Sequence, residues 1–182
     1  MSEERFKPLI PYAVIPVLWL ALFHFRRGEA DPVLLLWQEL IITFGYIAAY
    51  ADIKSKIIPN NLILVMFGAW LITTILTLFI NPGDAFLLLK DALLGCAIGG
   101  LIFLFVYITS GKGLGGGDVK FMAAAGLYLG FGGTISALLC GTVLAAVTGL
   151  LLLLQKKITR RDSIPLAPFL YAGILITVFI SG

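Results

Sequence analysis

The sequence predicts an all-α bundle of transmembrane helices, and three observations carry that prediction. Hydrophobic residues make up 60% of the 182-residue chain and charged residues only 13%, against roughly 45–50% and about 25% in an ordinary soluble domain. The mean hydropathy is +1.04. The apolar residues are gathered into runs close to the roughly 20 residues that a helix needs to cross a bilayer, separated by short loops rich in Gly, Pro, Asn and Lys. So few charged groups cannot cover a globular surface. A cytosolic enzyme, a nucleic-acid-binding domain and a disordered protein are excluded. Strand edges facing lipid would leave backbone groups unsatisfied, so the spans are helices. About seven fit, and residues 1–182 read as a single membrane domain.

The first apolar stretch runs from about Pro8 to Phe25, after Arg5 and Lys7. Arg26-Arg27 directly behind it, and the poor cleavage match of Gly28-Glu29-Ala30, favour a retained span over a signal peptide. Residues 1–32 therefore read as an extra N-terminal span with its linker, and 33–182 as the core. The second run is Val33 to Tyr50. The third, Asn61 to Ile80, ends at the turn signal Asn81-Pro82-Gly83-Asp84. The fourth covers about Ala92 to Thr109, with Phe86 to Lys90 as an interfacial lead-in. A glycine-rich stretch, Ser110 to Asp118, leads into a short fifth span, Val119 to Phe131, closed by Gly132-Gly133. The sixth is Thr134 to Leu154 and the seventh Ile164 to Ile180.

Lysine and arginine in short loops orient such a bundle. With the N-terminus in the cytoplasm, alternation puts ten on the cytoplasmic side: Arg5, Lys7, Lys54, Lys56, Lys112, Lys120, Lys156, Lys157, Arg160 and Arg161. Three fall opposite: Arg26, Arg27 and Lys90. The loops 50–61 and 110–119 then open on the same, cytoplasmic face.

An ionisable side chain in or at the end of a membrane helix is costly and hence a functional candidate. Glu39, in the outer half of the second span, reads as a structural polar residue. Asp91 reads as an interfacial carboxylate favoured by a helix N-terminus. His24 has no matching cysteine or serine with which to build a nucleophilic triad. Cys96 and Cys140 sit inside apolar runs with neither disulfide nor zinc-ligand spacing. Asp52 and Asp118 differ in their company. Asp52 opens a basic hairpin in which Pro59 interrupts the helix and Asn60 or Asn61 offers an N-cap to the third span. Asp118 follows Gly115-Gly116-Gly117, which permit close approach of another chain. This glycine loop lacks the ending and the preceding strand of a phosphate-binding loop, so no nucleotide is expected.

Two carboxylates on one face suggest an aspartic dyad, in which like charges share a proton. One member would take a proton from water while the other gives one to a scissile carbonyl. No metal or cofactor is required. Helix ends give an asymmetry: Asp118 at an N-terminus is favoured as the base, and Asp52 at a C-terminus as the acid. The rival from another class is a proton-coupled transporter, whose carboxylates lie near mid-bilayer in repeated halves. No repeat is found.

Asp52 through Asn60 resembles the first active-site loop of the type IV prepilin leader peptidases. Gly115-Gly116-Gly117-Asp118-Val119-Lys120 is similar to their GxGD motif with its following lysine. Ile164-Pro165-Leu166-Ala167-Pro168-Phe169-Leu170 resembles the proline-bracketed segment that begins the family's last helix, with Leu166-Ala167 where Phe-Gly is common. The match covers about residues 40 to 182. It implies a membrane aspartic endopeptidase with Asp52 and Asp118 as catalytic residues. Pro59, Asn60, Gly115, Gly117 and Lys120 would support the loops, and Lys54, Lys56 and Lys112 would contact substrate or lipid headgroups. The implied partners are prepilin, pseudopilin or preflagellin precursors and the bilayer, with no nucleic acid. Full-length bacterial members carry a cysteine-containing domain between their first two spans, linked to N-methylation. Here Arg26 to Pro32 joins those spans and no CxxC occurs, which implies the short, peptidase-only form.

Overall fold

Helices form where the apolar runs predict them. The computed structural model describes residues 14–25, 31–110, 114–157 and 164–180. Among these residues every regular element is helical: α1 (Val14–Phe25), α2 (Pro32–Ser55), α3 (Asn60–Ile80), α4 (Pro82–Thr109), α5 (Gly116–Leu154) and α6 (Ala167–Ile180). Four of them, α2 to α5, are long and apolar enough to cross a membrane, while α1 and α6 are shorter apolar helices. Arg5, Lys7, the Arg26–Ala30 linker, Lys112, Arg160 and Arg161 lie outside the described residues.

Local chemistry sets the ends. Asp31 caps α2 by accepting from Val33 N at 2.8 Å, with Pro32 opening the first turn where no N–H is needed. Pro59, in extended conformation, is the N-cap of α3 and makes no side-chain capping bond. The cap expected from Asn60 or Asn61 is therefore not formed, because both already lie in the helix. Nor is there a separate lead-in before the fourth span: α4 runs unbroken from Pro82 through Phe86–Lys90, 28 residues in all.

α5 holds the main departure from the sequence reading. Its 39 residues would extend about 58 Å at 1.5 Å per residue, nearly twice the roughly 30 Å hydrocarbon core. Gly130 breaks it, with φ 66° and ψ −174°. A Cβ at Gly95 on α4 would collide with the carbonyl oxygens of Gly126 and Gly130, and one at Gly99 would sit 2.5 Å from Met122 O and 3.3 Å from Thr134 Cγ2. One step forward on α4 is thus a step back on one half of α5 and a step forward on the other. The two halves run in opposite directions along the same stretch of α4, and the chain reverses at Gly130. The expected stop at Gly132-Gly133 is misplaced: both residues are helical. A reversal this tight needs a backbone conformation with positive φ, which only glycine adopts without penalty. Asp91, expected at a helix N-terminus, lies well inside α4. Its Oδ1 accepts from Phe131 N at 3.2 Å, satisfying the first turn of the returning half.

The core lies between α2, α5 and α6, with Ile41, Ile42, Phe121, Met122, Leu170 and Ile174 fully buried. Tyr128 on α5 donates its hydroxyl to Met66 O on α3 at 2.5 Å. α1 packs on α2, where Trp19 Nε1 donates to Glu39 O and Thr43 Oγ1, both at 3.1 Å. The outward faces are apolar: Phe79 and Ile80 are each 83% exposed. In water such a surface would aggregate; in hydrocarbon it is the proper solvent-facing side.

Small residues set how closely α4 and α5 approach. Replacing Gly95 by Ala should destabilise the protein by about 1–3 kcal/mol, because the added methyl meets backbone that cannot move. Gly68→Ala, where no atom lies within 4 Å, should be neutral or stabilising by up to about 1 kcal/mol through helix propensity. Thermal melting in detergent distinguishes the two.

Candidate active site

The polar residues collect at one end of the bundle. α2 ends there, α3 begins there, and so do α5 and α6. Asp52 lies in the last turn of α2, where its carbonyl accepts from Lys56 N at 2.8 Å. Lys56 closes the helix in left-handed conformation, φ 54° and ψ 28°. That turn swings Ile57 and Ile58 back across the helix end. Ile58 is buried against Gly117, where a Cβ would lie 3.3 Å from Ile58 Cβ. The two loops expected to share a face therefore touch, and a side chain at residue 117 would press directly on Ile58.

Asp118 sits in the first turn of α5. Its Oδ2 accepts from Gly115 N at 3.3 Å while its own N–H donates to Gly115 O at 3.1 Å. Both aspartates line one cavity of about 380 Å³, together with Lys56, Asn60, Gly115, Gly117 and Lys120. Lys120 Nζ donates to Asn60 Oδ1 at 3.0 Å, a bridge between the first turns of α5 and α3 across 60 residues of chain.

Asp52 is the most deeply placed of the polar side chains lining the cavity, 6% exposed. Its Oδ2 accepts from Ala167 N, the first residue of α6, at 2.9 Å. Burying an ionised carboxylate without a partner is prohibitive, and this amide supplies one. It also cancels the helix-end asymmetry read from the sequence. Asp52 lies at the C-terminus of its own helix but also at the N-terminus of α6, so both aspartates face the positive end of a helix dipole.

Most of the residues singled out in the sequence meet here. Asp52, Asp118, Asn60, Gly115, Gly117, Lys56 and Lys120 line the cavity. Pro59 does not; it shapes the turn behind it. Lys54 is exposed and outside the lining, and Lys112 lies outside the described residues. Ile58 and Ala167 were not singled out. The proline-bracketed segment before α6 was the available signal for Ala167, but a backbone donor leaves no mark in side-chain identity. Among the described residues no cluster of three or more His, Cys, Asp or Glu could hold a metal ion.

Two carboxylates brought close in a polar cavity can share one proton, leaving one as base and one as acid. This is the equipment for activating water. Residues 39–150 match the model of the type IV leader peptidase family. The chain belongs to that family. Among curated relatives of this peptidase family, a prepilin leader peptidase/N-methyltransferase of Stutzerimonas stutzeri is 32% identical over 143 residues, 74% of this chain and 47% of the relative. A Bacillus subtilis protein of the same name is 31% identical over 134 residues, 74% of this chain and 51% of its own. One from Pectobacterium carotovorum subsp. carotovorum is 30% identical over 183 residues, 95% of this chain and 62% of its own. The chain spans about half the length of the first two relatives. No solved structure matches it. Membership, with the long apolar helices, makes this a multi-pass membrane protein.

The contact between the loops is directly testable. In a background with Cys96 and Cys140 replaced by Ala, the pair Ile58→Cys and Gly117→Cys should crosslink under mild oxidation, since the Cβ separation is close to disulfide geometry. A non-reducing gel after cleavage of the chain between the two positions reads the bond. Two separated fragments would contradict the packing.

Proposed function

We propose that this chain is a membrane-embedded aspartic endopeptidase that removes the short basic leader from type IV prepilins or prepilin-like precursors at the cytoplasmic membrane face. The observation that carries the reading is the meeting of Asp52 and Asp118 in one polar cavity at one end of the bundle. Family membership and the relatives' printed names support the reaction and the substrate class. The peptidase half of those names is carried over. The N-methyltransferase half is not, because Cys96 and Cys140 form no CxxC pair.

In the proposed reaction an ionised aspartate takes a proton from water as the water oxygen attacks the scissile carbonyl. The protonated partner gives its proton to the carbonyl oxygen. Collapse of the tetrahedral intermediate breaks the C–N bond and passes a proton to the leaving amine. The apolar segment of the precursor stays in lipid, and its extended backbone reaches the dyad past Gly115 and Gly116, where no side chain stands in the way. Residues 33–182 form the peptidase core, and the chain crosses the plasma membrane about seven times. Prepilins, pseudopilins and preflagellins are the proposed substrates. The lysines of this end, Lys54, Lys56 and Lys120, support the cytoplasmic placement by the positive-inside rule.

Co-expression with a prepilin, followed by leader removal on a gel, tests the reaction. Asp52→Asn and Asp118→Asn should each reduce cleavage by at least about a hundredfold, the scale of general acid–base catalysis. Full cleavage by either variant removes that residue from the dyad. Orientation has its own measurement. A cysteine at Ser55, in a background without Cys96 and Cys140, should react with a membrane-impermeant maleimide only after spheroplasts are opened. Labelling of intact spheroplasts would invert the topology.

A further inference from the structure

We infer that the backbone N–H of Ala167 is a positioning group for Asp52, fixing which carboxylate oxygen faces the cavity; the inference rests on the peptidase reading above. The first turn of α6 has little else to give. Pro168 has no N–H, and Phe169 N and Leu170 N both donate to Leu166 O, at 3.0 and 3.1 Å. Ala167 N is the donor left over, and it goes to Asp52 Oδ2 at 2.9 Å, across 115 residues of chain. Within the first turn of α6, Pro168 offers no donor and the next two amides are used locally, which leaves the Ala167 amide.

Such a donor does what the neighbouring side chains cannot. Rotation about the last bond of an aspartate is soft and nearly two-fold, so an untethered carboxylate exchanges its oxygens freely. The charged groups lining the cavity with Asp52 are Lys56 of its own helix and Asp118 and Lys120 of α5, and α3 contributes the uncharged Asn60. The lysines are long and rotatable. α6 carries no charged side chain, and its phenol, Tyr171, packs on α2, where a Cβ at Gly45 would lie 2.6 Å from the ring. That contact, and the meeting of Gly173 with the backbone of Ala137 and Gly141, hold α6 rigidly against α2 and α5. The amide is therefore fixed relative to both aspartates. With Oδ2 committed to it, Oδ1 is the oxygen left to act on water beside Asp118. Ala167 is fully buried, so water does not compete for the bond.

The test removes the donor and little else. Ala167→Pro deletes the N–H at a helix position where proline is well tolerated, and Ala167→Gly keeps it. Purified in detergent and assayed on a prepilin peptide, Ala167→Pro should lose at least about tenfold in kcat with KM within about twofold of wild type, as expected when a reacting group is misplaced rather than a binding site lost. Ala167→Gly should recover most of that difference. Equal kcat for Ala167→Pro and wild type, or equal losses in the two variants, would overturn the inference. If Ala167→Pro does not fold, 15N-alanine labelling reads the bond instead. The Ala167 amide resonance, assigned by its absence in Ala167→Gly, should move upfield in the proton dimension in Asp52→Leu, and an unmoved resonance would equally overturn the inference. A wild-type protein that cleaves no precursor counts against the peptidase reading itself, whereas a cleaving wild type with an equally active Ala167→Pro counts against the positioning role alone.

Discussion

Close backbone contact between α4, α5 and α6 is the constraint from which the rest of the structure follows. In lipid, apolar side chains gain little by leaving one apolar environment for another, so helices associate where small residues let their backbones approach. Gly95 lies against Gly126, Gly99 against Met122, Gly141 against Leu170 and Gly173 against Ala137. These contacts clamp both halves of α5 to α4 and α6 to the returning half. The N-termini of α5 and α6 are thereby delivered to the same end of the bundle. One of them carries Asp118, and the other carries the amide that meets Asp52.

The active end is built on that frame from three separate stretches of chain. The α2–α3 hairpin brings Asp52, Ile58 and Asn60. The glycine loop brings Asp118 and Lys120, and the proline-bracketed segment brings Ala167. Three contacts join them: Ile58 on Gly117 and Lys120 on Asn60 tie the hairpin to the glycine loop, and Ala167 on Asp52 ties the hairpin to the proline-bracketed segment. The contacts differ in kind, one steric, one polar and exposed, one polar and buried. Only the last lies in a low-dielectric setting, where a hydrogen bond to a charged group is strongest and its absence most costly.

The opposite end is simpler. Asp31, Asn81 and Asp84 are placed around the start of α2 and the α3–α4 turn, and Asp91 supports the reversal at Gly130 from the side of α4. There the carboxylates serve helix ends. At the active end two of them line one cavity, which helix capping alone would not require. The same residue type thus serves helix ends at one end and lines a shared cavity at the other.

Helical character, the position of each apolar run, the gathering of the hairpin and the glycine loop at one end, and the two aspartates were all legible in the sequence. Composition, short-loop spacing and motif chemistry are local properties, written residue by residue. The break in α5 was not. Gly130 and the Gly132-Gly133 pair are equally good turn candidates until the packing on α4 selects one, and Asp91 could be assigned to that turn only once α4 was known to run unbroken from Pro82. Asn60 looked like a cap and became a partner for Lys120, because Pro59 had already taken the capping position. Ala167 was unreadable as a donor, since every non-proline residue carries the same N–H and only tertiary structure decides where it points. Sequence by itself determined which groups were available and at which end they would emerge. Tertiary structure decided which of them meet, because hydrogen bonding and close packing act over a few ångströms between residues far apart along the chain.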